Sequence, residues 1–105
     1  MSFREREKAF ENKFLHDAEL KFKAEARRNK LLGLWVAERL GKSADEAAAY
    51  AKEVVAADFE EAGDADVVRK VLADIAAAGQ QMGEDELRNK MADLMDQAIA
   101  QVQNG

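Results

Sequence analysis

Between Lys21 and Lys30 the chain reads KFKAEARRNK, with five basic residues against one acid. At helical spacing Lys23, Arg27 and Lys30 fall on one face and Arg28 lies beside them, with Trp35 farther along. Such a cluster can bind an anionic group, a nucleotide phosphate being the obvious class. It can equally be the basic side of a solvated helix turned toward an acidic body. A second constellation lies upstream. Phe3, Phe10 and Phe14 are seven and four residues apart, which places them on one helical stripe interrupted by Glu7. Around them stand Arg4, Glu5, Arg6, Lys8, Glu11 and Lys13, so the ridge is one residue wide and the remainder is wet. A helix this short is marginal alone in water. Two readings stand: the stripe continues the core of a longer helix, or it docks in a partner's groove with the phenylalanines as anchors.

Catalytic signatures are thin. Glycines are isolated stops rather than a phosphate-cradling loop, and no Ser/His/Asp set can be assembled. The acidic runs Glu60-Glu61 and Glu84-Asp85-Glu86 read as solvated faces and helix-dipole partners. The chain has no cysteine and one histidine, His16, so thiolate sites and histidine clusters are ruled out. The expectation is no catalytic residue, no metal and no obligatory cofactor.

Charge is divided unevenly. The chain carries 16 Lys/Arg and 21 Asp/Glu, a net of −5, yet most of the basic residues fall before Ser43 and most of the acidic ones after it. A basic front half suggests a partner, or self-complementarity with the acidic body. Nucleic acid is disfavoured, because the acidic chain repels phosphate and the basic patch is small. No apolar run approaches 18 residues and no leader pattern is present, so the expectation is a soluble protein of a reducing compartment, without membrane insertion and monomeric when free.

The elements that position these residues are helices. Proline is absent and 105 residues suit one domain. A long first helix is expected from about Phe10 or earlier to Leu40, with Ala18, Phe22, Ala26, Asn29, Leu32 and Val36 on its inner face. Its first turns should overhang the bundle or fray. Gly41 suits a left-handed stop, and Ser43-Ala-Asp-Glu46 reads as a capping box. Helix two should turn Ala44, Ala48, Ala51 and Val55 inward. Helix three, capped by Asp64, should bury Val68, Val71, Leu72, Ile75 and Ala78. Helix four should bury Leu87, Met91, Leu94, Met95, Ala98 and Val102. The prediction is all-α: a four-helix bundle over 15–105, preceded by a mobile segment over 1–14.

One stretch also carries a family likeness. AFENKF, HDAEL and FKAEARRNKLLGLW, within residues 9–35, closely resemble the zeta subunit of alphaproteobacterial ATP synthases, the ATPase inhibitor family. The likeness continues through AERLG (37–41), AAAYAKEVVAADFEEAG (47–63) and DVVRKV (66–71) and fades after Gly79. The resemblance implies a four-helix bundle whose N-terminal segment inhibits ATP hydrolysis by entering a catalytic interface of the head, among its alpha, beta and gamma subunits. On that reading the partner-binding residues are Phe3, Arg4, Arg6, Lys8, Phe10, Lys13 and Phe14. The resemblance further implies a cytoplasmic protein bound peripherally to the inner-membrane ATP synthase, and ADP or ATP as a regulatory ligand, for which Lys23, Arg27, Arg28 and Lys30 are the candidates. An alternative is a nucleotide-sensing bundle that regulates a partner without direct inhibition. In one place the chain departs from the family pattern: the position after the first phenylalanine, acidic in the family, is Arg4 here.

Overall fold

The computed structural model describes residues 18–58 and 64–104. Phe3, Arg4, Arg6, Lys8, Phe10, Lys13, Phe14 and His16 lie outside the described residues, as does the expected start of the first helix. Within them the chain forms four helices and no strand: α1 Ala18–Arg39, α2 Ala44–Ala57, α3 Ala65–Ala77 and α4 Glu84–Asn104. Over these residues α4 nearly equals α1 in length, at 21 against 22 residues. The first helix packs most extensively on α2 and α4.

The stops follow local chemistry. Gly41 has φ of 72°, and Lys42 N–H donates to Ala37 C=O while Gly41 N–H donates to Glu38 C=O, a Schellman closure of α1. Gly79, with φ of 78°, closes α3 in the same way through Gln80 to Ile75 and Gly79 to Ala76. The capping box forms as the spacing predicts: Glu46 N–H donates to Ser43 Oγ, and Ser43 N–H donates to the Glu46 carboxylate at 2.9 Å. That bond, with the serine hydroxyl, holds the Glu46 carboxyl below its usual range. Asp64 does not cap α3. Its carboxylate instead accepts from Arg88 Nη1 at 3.2 Å, tying the start of α3 to α4.

The core joins Leu32, Val36 and Ala37 of α1 to Tyr50 and Val54 of α2, Val67, Val68, Val71 and Ile75 of α3, and Leu87, Met91 and Leu94 of α4. The α4 face is the expected one. The α2 face is turned in part: Ala51 is buried as expected, but Ala44 and Ala48 are exposed, and Tyr50 and Val54 point inward. Alanines give a helix little apolar bulk on any side, so the larger Tyr50 and Val54 decide which face is buried. Phe22, expected inside, is 53% exposed, and Ala78 is exposed as well. Gly33 is not a stop. It sits in mid-α1 where a Cβ would lie 2.5 Å from the Ala51 backbone, so glycine is what allows α1 and α2 to touch.

Candidate binding site

Lys23, Arg27 and Lys30 recur at four and three residues along α1, and the helix presents all three to one open groove of about 590 Å³. Its other walls are Leu20, Phe22 and Ala26 of α1, Val55 of α2, and Gln101 and Val102 of α4. Lys23 pairs with Glu19 at 3.3 Å, and Arg27 Nη1 donates to Gln101 Oε1 at 3.4 Å across the groove. Both ion-pairing groups at the Lys23 end are mostly exposed, so that pair leaves the ammonium exchangeable with another anion. Basic groups above an apolar floor can take a ligand with an anionic end and a flat or apolar body.

Arg28 does not belong to this groove. One residue beyond Arg27 is a turn of about 100° around the helix, and here the side chain is only 8% exposed. Its Nε donates to Asn29 Oδ1 at 3.1 Å. Asn29 is fully buried and its Nδ2 has no partner. The sequence also hid Val55, Gln101 and Val102, which reach the groove from distant helices and carry no local signal of doing so.

A second polar cluster is structural in character. Tyr50 Oη donates to Asp74 Oδ2 at 2.8 Å, and Lys70 Nζ lies 3.2 Å from the same oxygen. The Lys70 and Lys42 ammonium groups stand 5.2 and 5.6 Å from the Tyr50 ring centroid. Burial first, and the Asp74 carboxylate second, push the phenol pKa well above its ordinary value. The cluster joins α2 to α3, with every group engaged. Lys90 similarly covers the Trp35 ring at 5.2 Å.

Among the described residues, no group of three or more His, Cys, Asp and Glu side chains is placed to hold a metal ion, and no helix is long and apolar enough to cross a membrane.

Three comparisons bear on identity. No curated protein matches the chain. A solved structure described as a "Solution NMR structure of the protein" is 61% identical and covers 81% of this chain and 96% of its own, with a TM-score of 0.72. The family model described as "ATPase inhibitor subunit zeta" matches residues 1–101, so the likeness runs through α4 rather than fading at Gly79. With a match over nearly its whole length, the chain belongs to the ATPase inhibitor subunit zeta family.

Proposed function

We propose that the protein restrains ATP hydrolysis by the catalytic head of F-type ATP synthase, with residues 1–14 entering a catalytic interface and the bundle acting as their holder. The observation that carries this reading is the family match, which spans the phenylalanine-bearing segment as well as the four helices. The protein acts by binding, not by turnover. A rotary enzyme must open and close its interfaces, and a helix lodged in one of them favours a single state. Phe3, Phe10 and Phe14 supply the apolar anchors, whose burial offsets the entropy of ordering the segment. Arg4, Arg6, Lys8 and Lys13 meet acidic and polar groups of the alpha, beta and gamma subunits. The free protein is a cytoplasmic monomer, and its bound form is peripheral to the membrane. The test is a titration of a purified head with the chain and with its Phe3→Ser/Phe10→Ser/Phe14→Ser variant. Loss of inhibition by a variant with an unchanged helical spectrum is expected. Equal inhibition by both would overturn the reading.

A second reading concerns nucleotide. The convergence of Lys23, Arg27 and Lys30 on one groove supports ADP or ATP as a regulatory ligand there, with Leu20, Phe22 and Val102 available to the base. Arg28, buried on another side of α1, is left out of this site. Chemical-shift mapping with ADP decides it: perturbations at 20–30 and 101–102 are expected, and none there would remove the site.

A further inference from the structure

The seam between α1 and α2 carries more apolar surface than the bundle covers. The second helix packs inward through Tyr50 and Val54, yet Ala48 and Val55 lie along another side. There they line an open groove of about 470 Å³ with Leu34, Ala51 and Ala56. Among the described residues, the exposed large hydrophobic side chains are Leu34, at 37%, and Phe22 on the adjoining groove. The two grooves share Lys30 and Val55, so they adjoin along α1 from Phe22 to Leu34, about 18 Å at helical rise, with Val55 common to both apolar floors. Small Ala48 and Ala51 keep the α2 wall low, and the Gly33 contact holds that wall against α1.

The rim has one sign. Among the described residues, Lys23, Arg27, Lys30 and Lys52 line the two grooves and no carboxylate does, with Glu19 paired to Lys23 at one end, although the chain as a whole is −5. Lys30 and Lys52 have no carboxylate partner among the described residues. An elongated apolar floor between cations is complementary to a helix with an apolar stripe flanked by acids.

We propose that the α1–α2 seam docks such an acidic amphipathic helix, presented by the catalytic head, as a second contact beside the one made by residues 1–14. The proposal rests on the inhibitor reading above. Leu34 and Val55 take apolar side chains at steps of three and four on the incoming helix, while its flanking carboxylates face Lys30 and Lys52. Two linked contacts turn the second binding event into an intramolecular one, which raises the occupancy of the first.

The absence of cysteine makes a selective probe simple. Full chain carrying Ala48→Cys, labelled with a polarity-sensitive fluorophore, reports on the groove, and Ala44→Cys, exposed and outside its lining, serves as control. Unlabelled wild type is first shown to inhibit the purified head. A failure at that step overturns the functional reading, and this docking with it. With inhibition established, the head is expected to blue-shift the label at position 48 and leave the one at 44 unchanged. Lys52→Glu should raise the half-saturating concentration about 5-fold, an effect weakened by salt. A silent label at 48, equal shifts at both positions, or no effect of Lys52→Glu would overturn the proposal. So would a shift driven by raising the concentration of the chain alone, which assigns the groove to a second copy, or by ADP alone, which assigns it to nucleotide.

Discussion

Replacing Gly33 by alanine should loosen the junction on which the binding face is built. An alanine Cβ at this position would lie 2.5 Å from Ala51 Cα, 3.1 Å from Ala51 Cβ and 3.2 Å from Ala51 N. Carbon atoms pack favourably at roughly 3.5–4.0 Å, so the helix axes must separate by about 1 Å. The obstruction is backbone and cannot rotate away, which puts the cost near the upper end of overpacking, ~3 kcal/mol. Against this, alanine is favoured over glycine in a helix interior by about 1 kcal/mol. The net is a destabilisation of about 2 kcal/mol, which for a domain of this size corresponds to a loss of about 8–16 °C in Tm. Urea unfolding followed by circular dichroism measures it. Gly83→Ala, whose Cβ meets nothing within 4 Å, is the control and should stay within about 0.5 kcal/mol of wild type. A Gly33→Ala protein as stable as wild type would refute the close approach of α1 and α2.

Leu32, fully buried in the core, should cost about 2–5 kcal/mol when replaced by alanine, measured by the same unfolding experiment. Ser43→Ala removes one arm of the capping box and should cost about 1 kcal/mol. Because Glu46 has a lowered pKa in the folded chain, its contribution is present above its free value of 4.5 and is lost as pH falls through the lowered one; wild type and Glu46→Gln should therefore converge in acid melts. Tyr50 has the opposite sign. Its pKa is raised in the folded chain, so its contribution is full below the free phenol value of 10.0 and declines as pH rises above it; Tyr50→Phe should flatten that alkaline decline in thermal melts.

What was legible in the sequence was local. The stop at Gly41, the Ser43–Glu46 box and the α4 face each depend on residues a few positions apart, and each forms as expected. The α2 face was legible only at Ala51, because its inner candidates were small or β-branched and a run of alanines has no preferred side. Asp64 has the residue type of a cap but finds a stronger partner in Arg88, 24 residues away. Gly33 looks like a breaker in one dimension and is a helix contact in three. At the candidate site, the periodicity of Lys23, Arg27 and Lys30 placed them together, whereas Arg28 was separated by burial, which spacing alone does not report. Val55, Gln101 and Val102 complete the groove only through the packing of α2 and α4 on α1.

In the proposed function residues 1–14 are the effector and the bundle their holder. ATP hydrolysis by a purified ATP synthase head, titrated with the full chain and with a version beginning at Leu15, tests it most directly. Saturable inhibition by the full chain and none by the shortened one is expected, with the shortened chain retaining its helical spectrum. Inhibition of equal strength by the two would contradict it.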